Sequence, residues 1–90
     1  MIKIGYFAHI RELTGKKEET LNLSLTVLDL VNSLCNTYGA NFRDFCMDGE
    51  KISRFVNIMV NGKHIHHLAG DETPLKDDDE ISIFPLIGGG

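Results

Sequence analysis

The sequence predicts an α+β domain in which one main helix packs across one face of a mixed β-sheet. Three observations support this: an alternating apolar segment at the start, one long amphipathic segment, and an Asn-Gly hairpin before a last alternating segment. A chain of 90 residues has room for one hydrophobic core, because a domain of this size buries only ~60–65% of its unfolded surface. We expect a domain over residues 1–87 and a flexible glycine tail over 88–90.

The amino-terminal part of the chain predicts two strands joined as a hairpin. Residues 2–8, IKIGYFA, alternate and contain β-branched and aromatic residues, which favours a strand. A single helical turn near residues 10–13, closed by Gly15, follows it. In residues 19–25, ETLNLSL, every second residue is a leucine. This alternation predicts a second strand with one apolar face, formed by Leu21, Leu23 and Leu25.

The main helix is predicted over TVLDLVNSLCNTYG, residues 26–39. Thr26 is a good N-cap residue, and Asp29, three positions later, completes a weaker form of the capping box. Gly39 is placed to end the helix in the left-handed conformation. The apolar residues recur at helical spacing and indicate a core-facing stripe: Val27, Leu30, Val31, Leu34, Cys35 and Tyr38. A short helix, pinned to the core by apolar residues, should follow: Phe42, Phe45 and Cys46.

The second half predicts a tight hairpin and a final strand. Asn61-Gly62, which follows the strand-like residues 55–60, is the favoured type I′ turn pair, and a short return strand follows. Residues 80–85, EISIFP, form the last strand, which Pro85 ends because proline cannot donate to a ladder. A right-handed crossover through the helix would place a later strand beside the first. This layout is that of the ubiquitin-like β-grasp fold.

Composition and charge narrow the possible functions. The formal net charge of −4 disfavours a general role in nucleic-acid binding. No apolar run approaches the ~18 residues of a membrane helix, and the start does not resemble a signal peptide. We therefore expect a cytoplasmic protein that binds neither nucleic acid nor membranes. Cys35 and Cys46 lack the spacing of a zinc or redox motif, so we interpret them as buried hydrophobic residues.

Two polar motifs are interpreted as solvated surface. His64 and His66, in HIHH, would share a strand face as in some metal sites, but the sequence fixes no carboxylate or cysteine beside them. KDDDE, residues 76–80, lacks the ligand spacing of an EF-hand. We expect no metal site and no bound cofactor. Motifs for nucleophilic catalysis, phosphate binding or paired carboxylates are absent from the sequence, so we expect no enzymatic activity of the chain alone.

The last residues, LIGGG, indicate a different kind of chemistry. Glycine has no side chain, so the tail is a slim segment that could thread into the active site of another protein. Its carboxylate would be ionised at neutral pH, since the reference pKa is ~3.5. A carboxylate resists nucleophiles because oxide is a poor leaving group, whereas an acyl-adenylate can be attacked by sulfur or nitrogen. The tail is therefore the candidate reactive segment.

Several segments resemble a known family. IKIGYFAHIRELTGKKEE resembles the amino end of MoaD-type proteins, the small subunits of molybdopterin synthase. VNIMVNGKHI, TPLKDDDEISIFP and the final GG resemble the later motifs of that family, so that the match runs nearly end to end. Three positions depart from the pattern: Asp78 replaces a glycine of a turn, Leu86 replaces a second proline, and Gly88 stands where alanine, serine or threonine is usual. Aspartate tolerates the left-handed conformation, so we expect the turn to persist.

The resemblance implies a ubiquitin-like β-grasp fold, shared with the ThiS group, and sulfur carriage. A ubiquitin-activating-like adenylyltransferase of the MoaB/MoeB/ThiF type would use ATP to adenylate Gly90, and a sulfurtransferase would convert the adenylate to a thiocarboxylate. A MoaE-like large subunit would then use the sulfur to build the dithiolene of molybdopterin.

The resemblance also assigns roles to other residues near the tail. Gly89 and Gly88 would belong to the threading segment. Phe84 and Pro85 would anchor the root of the tail. The family's docking surface is apolar and close to the tail root, which indicates Leu86, Ile87 and Phe7.

Three alternatives remain open from the sequence. The same adenylate could be attacked by a lysine amine, which would make the protein a ubiquitin-like modifier. The chain could be a β-grasp binding module whose tail has no role. Finally, similar carriers serve thiamine, cysteine, a tungsten cofactor and tRNA thiolation, so the acceptor of the sulfur is open.

Overall fold

The computed structural model describes residues 1–22 and 24–86. The helices in these ranges are α1 (His9–Thr14), α2 (Val27–Tyr38) and α3 (Ala40–Cys46), with 3₁₀ turns at Ile65–His67 and Gly70–Glu72. The strands are β1 (Ile2–Tyr6), β2 (Glu18–Leu21), β3 (Met47–Asp48), β4 (Lys51–Ile52), β5 (Val56–Val60), β6 (Lys63–His64) and β7 (Glu80–Pro85). Within this part of the chain, no helix has the length and apolarity needed to cross a membrane.

The main sheet has the strand order β2-β1-β7-β5-β6, with β3 and β4 in a separate small hairpin. The first and last strands, β1 and β7, pair in parallel, and Ile4 lies opposite Ile81. The other pairs in the sheet are antiparallel. A parallel pair needs a crossover connection, which α2 supplies in this fold. The predicted α+β architecture, a β-grasp with one main helix across a mixed sheet, is confirmed.

The core lies between α2 and one face of the sheet. Alternate residues of β1 and β7 point into it, and Ile4 and Ile83 are almost completely buried. The predicted stripe of α2 is buried from Val27 to Cys35, while Tyr38 packs at its edge. Burying each large aliphatic side chain contributes about 1.5–3 kcal/mol to the free energy of folding. Phe42 and Cys46 of α3 are buried as predicted, and Phe45 packs against the core.

The predicted cap of α2 is confirmed, but its carboxyl end differs from the expectation. The Thr26 hydroxyl accepts a hydrogen bond from the Asp29 amide, and the Asp29 carboxylate accepts one from the Thr26 amide, each at 3.2 Å. Gly39 has φ 90° and ψ −163°, a positive φ outside the left-handed helical region. This conformation turns the chain directly into α3, so that Gly39 ends one helix and begins the next.

The second predicted strand is shorter than its leucine pattern indicated. The strand β2 ends at Leu21, which is partly buried against the core, whereas Leu25 is 80% exposed. The Leu25 carbonyl instead accepts a hydrogen bond from the Leu75 amide at 3.1 Å, at the entrance to α2. Leu23, the third predicted residue of that face, lies outside the described residues. Alternation alone could not show that pairing with β1 stops at Leu21.

The turns of the second half follow the sequence closely. Asn61 and Gly62 have φ values of 52° and 83°, as the predicted type I′ hairpin requires. Asp78 has φ 69°, so aspartate does adopt the left-handed conformation at this turn. The return strand β6 ends after His64, because the chain continues as a 3₁₀ turn.

Glu19 joins three elements through one buried carboxylate. Its side chain is 13% exposed and accepts hydrogen bonds from the hydroxyls of Tyr6 and Tyr38 and from Lys16 Nζ at 3.1 Å. Burial opposes ionisation, but the hydrogen bonds from Tyr38, Tyr6 and Lys16 outweigh it and hold the pKa of Glu19 below its ordinary value. Burial and the bond to Glu19 raise the pKa of Tyr6. The carboxylate therefore links β1, β2 and α2.

We expect Glu19→Gln to lower the free energy of unfolding at pH 7 by about 1–3 kcal/mol, because charge-assisted hydrogen bonds to the carboxylate are lost. A depressed carboxyl pKa stabilises the fold above the unfolded-state value near 4.5, and that contribution disappears as the pH falls. The difference from wild type should therefore shrink between pH 7 and pH 3. Urea denaturation across this range measures it.

The matched control is Glu18→Gln on the same strand. The Glu18 carboxylate is exposed and lies 3.6 Å from Lys3 Nζ, so the change should cost less than about 0.5 kcal/mol. Equal losses in the two variants would contradict the role assigned to Glu19.

The junction between β1 and α1 holds a non-glycine residue in an unfavourable conformation. Ala8 has φ 52° and ψ −128°, and a side chain at such a backbone conformation costs of order 1–3 kcal/mol. Backbone hydrogen bonds fix the turn on both sides. The Phe7 amide donates to the Ile83 carbonyl at 3.1 Å, and the Arg11 amide donates to the Ala8 carbonyl at 2.9 Å.

We expect Ala8→Gly to raise the free energy of unfolding by about 1 kcal/mol, since glycine relieves the strain at positive φ and loses part of the gain through its freer unfolded state. Thermal and urea unfolding would measure the gain. Ala69, at φ −105°, provides the control, because Ala69→Gly should be neutral or cost up to about 1 kcal/mol. A loss of stability in Ala8→Gly would show that the backbone at this junction is unstrained.

Candidate functional site

The open face of the sheet carries an apolar pocket at the end of β7. Because β1 and β7 are parallel, the residue that follows β1 lies beside the last residues of β7. The pocket has a volume of about 470 Å³ and is mostly apolar. We call it the tail-root pocket; its lining residues are Phe7, Ala8, Met59, Ser82, Phe84 and Pro85.

Phe7 is held in position at this pocket by its neighbours. Its ring is 41% exposed and packs edge-on against Phe84, with 6.4 Å between the ring centroids. The Arg11 guanidinium lies 5.4 Å from the Phe7 centroid, while Arg11 Nε donates to the Tyr6 carbonyl at 2.7 Å. A Cβ on Gly5 would lie 3.2 Å from the Phe7 ring, so glycine gives the ring room to lie back along β1. An aromatic ring fixed before binding lowers the entropic cost of docking.

The root of the tail is pinned to β5. Pro85 pairs with Val56, and the Leu86 amide donates to the Phe55 carbonyl at 2.8 Å, one residue beyond the strand. Phe84 and Pro85 are half-buried, and Leu86 is 46% exposed. The structure thus brings together four of the predicted site residues: Phe7, Phe84, Pro85 and Leu86. Their roles in docking stay predictions, and Ile87, Gly88, Gly89 and Gly90 lie outside the described residues.

The sequence interpretation missed two residues of this surface, Phe55 and Met59. Val56, Ile58 and Val60 face the core, so the residues between them and the one before Val56 face outward. Phe55 is 59% exposed, and Met59 lines the tail-root pocket. The alternation in RFVNIMV could have located both, if the buried set had been assigned first.

A polar pair borders the apolar surface on the side of β6. His64 Nδ1 accepts a hydrogen bond from the His66 amide at 3.1 Å, so the neutral ring carries its proton on Nε2, which donates to Asn57 Oδ1 at 2.9 Å. Burial, together with His66 and His67, lowers the pKa of His64. Asn57 lies opposite Phe84, which places this pair at the edge of the surface. The Asn57–His64 pair therefore forms a polar rim along the edge of the apolar surface.

The polar motifs of the sequence take other roles than expected. His66 belongs to a 3₁₀ turn, so His64 and His66 do not share a strand face. Across residues 1–22 and 24–86, no three His, Cys, Asp or Glu side chains come close enough to hold a metal ion. Asp79 of KDDDE is buried rather than solvated, because its carboxylate accepts from the Lys76 amide at 2.7 Å and from Asn61 Nδ2 at 2.8 Å.

Both cysteines are free and buried, as predicted. Burial and the neighbouring Cys35 raise the pKa of the Cys46 thiol to about 12, and burial also raises that of Cys35. A thiol with a raised pKa is a poor nucleophile at neutral pH. The structure therefore places both cysteines in the core.

The arrangement suits contact with another protein. An exposed apolar surface with fixed aromatic rings and a polar rim has the anatomy of a protein–protein interface. It surrounds the root of the glycine segment. A partner seated here would have the tail residues within reach of its own active site.

Comparisons with known proteins agree with this arrangement. The profile of the ThiS family matches residues 4–90. Small archaeal modifier protein 3 of Haloferax volcanii is 34% identical over 91 residues, which cover 99% of this chain and 98% of that protein. The sulfur carrier protein CysO of Mycobacterium tuberculosis is 40% identical over 40 residues, covering 44% of this chain and 43% of CysO.

A solved structure extends the likeness to the backbone. The solution structure of small archaeal modifier protein 1 from Methanosarcina acetivorans superposes with a TM-score of 0.84 at 37% identity, covering 99% of this chain and 95% of that one. The predicted resemblance to the MoaD and ThiS group is thereby confirmed. The chain belongs to the ThiS family, whose relatives include small sulfur carriers and ubiquitin-like modifiers.

Proposed function

We propose that this protein carries sulfur as a thiocarboxylate on Gly90, the last residue of the sequence. The observation that carries the proposal is the apolar surface around the end of β7, because β7 is the strand that leads into the glycine segment. The family match over residues 4–90 and the sulfur carrier CysO among the relatives support it. The domain itself then needs no catalytic side chain, because the reactive group is the carboxyl of the tail.

The chemistry proceeds in two displacement steps. The Gly90 carboxylate attacks the α-phosphorus of ATP on a partner enzyme, so that an acyl-adenylate forms and pyrophosphate leaves. Hydrosulfide then attacks the carbonyl carbon and expels AMP, which leaves the thiocarboxylate. No redox change occurs at carbon in either step. The role of the domain is to dock on the partner and hold the root of the tail there, which converts part of the encounter into an intramolecular one.

The partners follow from this chemistry. The adenylating partner is a ubiquitin-activating-like adenylyltransferase, and its docking face should bury the ring of Phe7 and the pocket beside it. The net charge of −4 favours a partner with a basic surface, because complementary charge speeds association. A sulfurtransferase, together with a thiol that acts as reductant, would supply the hydrosulfide of the second step.

The destination that we propose for the sulfur is the dithiolene of molybdopterin, which is built on a precursor of that cofactor. The motifs RELTG, the Asn-Gly hairpin and the final strand before GG resemble those of molybdopterin synthase small subunits. The receiving protein is then a MoaE-like large subunit, which contacts the same surface after the activating enzyme has left. The domain itself would hold no cofactor in this cycle.

The second candidate function is a ubiquitin-like modifier. The likeness to small archaeal modifier protein 3 over almost the whole chain favours it. In this reaction a lysine amine attacks the same adenylate, AMP leaves, and an isopeptide bond joins Gly90 to the target. Both functions use one adenylate, so they differ in the nucleophile that meets it.

For sulfur carriage, we expect the purified protein to gain about sixteen mass units after incubation with its activating enzyme, ATP and sulfide, because sulfur replaces one oxygen of the carboxyl. Intact-protein mass spectrometry measures the gain. A variant that lacks Gly89 and Gly90 keeps the folded domain and should gain nothing. As a positive control, the same activating enzyme should consume ATP with a known carrier. If it does so and the mass of the wild-type protein stays unchanged, the proposal is ruled out.

For protein modification, we expect lysines of cell proteins to carry a long tail-derived remnant after trypsin digestion. No lysine or arginine follows Lys76, so the remnant spans residues 77–90. Proteomics of cells that express the wild-type chain should detect it, and the variant without Gly89 and Gly90 should abolish it. Thiocarboxylate formation without any such remnant would assign the protein to sulfur carriage alone.

A further inference from the structure

We propose that Phe55, together with Leu86, forms a second docking contact for the adenylating partner, so that this partner contacts the tail root on both sides. The inference rests on the proposed function, since it concerns the enzyme that activates Gly90. It extends the docking surface from the tail-root pocket, which Met59 of β5 also lines, to the start of β5.

The topology places Phe7 and Phe55 on opposite flanks of the same strand end. The strand β1 runs parallel to β7, so the end of β1, with Phe7, flanks the end of β7 on one side. The strand β5 runs antiparallel to β7, so the start of β5, with Phe55, flanks it on the other. The root of the tail therefore leaves the sheet between two aromatic residues.

The backbone of Phe55 is fixed, whereas its ring is left to solvent. The Phe55 amide donates to Ser53 Oγ at 3.0 Å, and its carbonyl accepts from the Leu86 amide at 2.8 Å. Ser53 is buried, and its amide donates to the Cys46 carbonyl at 2.8 Å. This bond ties the backbone before Phe55 to the end of α3. Yet the Phe55 side chain is 59% exposed, more than Phe7 at 41%. The fold fixes the backbone at Phe55 without using the ring for the core.

The neighbourhood of Leu86 continues the surface. Leu86 is 46% exposed and lines a cleft of about 240 Å³ at the start of β5, together with Arg54, Asn57 and His64 and with residues of β4 and the 3₁₀ turns. Asn57 and His64 form the polar rim already described, so this cleft adjoins the apolar surface. Apolar side chains surrounded by a polar rim on a rigid backbone are typical of the residues that dominate binding energy.

The length of the tail indicates which partner protein contacts the surface formed by Phe55 and Leu86. Gly90 lies four residues beyond Leu86, and four extended residues span at most about 14 Å. An enzyme that brings ATP to the Gly90 carboxyl must therefore approach within this distance of Leu86. Such an approach brings the partner close to Phe55, because the Phe55 carbonyl binds the Leu86 amide directly.

The test compares Phe55→Ser with Leu25→Ser in ATP–pyrophosphate exchange by the activating enzyme, with the carrier as the varied substrate. Leu25 is a matched control, because it is 80% exposed and lies at the start of α2. We expect Phe55→Ser to raise KM at least about tenfold with kcat changed less than about twofold, as for truncation of a central interface aromatic. Leu25→Ser should leave both constants unchanged, and Phe55→Leu should restore most of the affinity.

Urea unfolding separates docking from folding, since an exposed ring should leave stability within about 0.5 kcal/mol of wild type. An unchanged KM in Phe55→Ser, with a raised KM in Phe7→Ser, would overturn the inference and leave the proposed function intact. A loss of stability that accounts for the defect, or an effect on self-association at unchanged KM, would also overturn it. If the enzyme does not adenylate the wild-type chain at all, the proposed function itself fails.

Discussion

The parallel pairing of β1 with β7 is the interaction on which the rest of the structure depends. It joins the first strand to the last through the register from Lys3–Glu80 to Tyr6–Ile83, and the Phe7 amide extends it to the Ile83 carbonyl. Such a pair closes a loop of most of the chain, and the entropic cost of that closure must be offset by burial on the α2 face. Once the pair has formed, the end of β1 lies beside the root of the tail.

The two faces of the sheet have different tasks. On the inner face, α2 covers an aliphatic core, and Glu19 ties two tyrosines of different elements together at its edge. On the outer face, apolar side chains stay exposed around the end of β7. The strained Ala8 is at the boundary, where its turn leads Phe7 out of β1. The inner face thus stabilises the fold, while the outer face stays accessible for contact with another protein.

The errors of the sequence interpretation have a common origin. Leu25 continues an alternation that the sheet does not continue, and His66 follows a strand pattern into a 3₁₀ turn. The sequence predicts a solvated Asp79, but its carboxylate is buried and accepts hydrogen bonds from the Lys76 amide and from Asn61 Nδ2. At Leu25 and Asp79, contacts distant in sequence, with Leu75 and Asn61, accompany the departure from the local pattern. At His66, the chain leaves the strand for a 3₁₀ turn in which the His66 amide donates to the His64 ring.

The sequence by itself determined the features that depend on near neighbours: the capping box of α2, the Asn61-Gly62 turn, the alternation of β1 and β7, and the motifs of the ThiS family. These could be predicted because caps, turns and periodicity are set by residues a few positions apart. Only the tertiary structure decided that Phe55 and Met59 join Phe7 around the tail root and that Glu19 is largely buried between two tyrosines. Those contacts require strands to be neighbours across long stretches of chain, and strand order is fixed by the packing of the whole core rather than by any local segment.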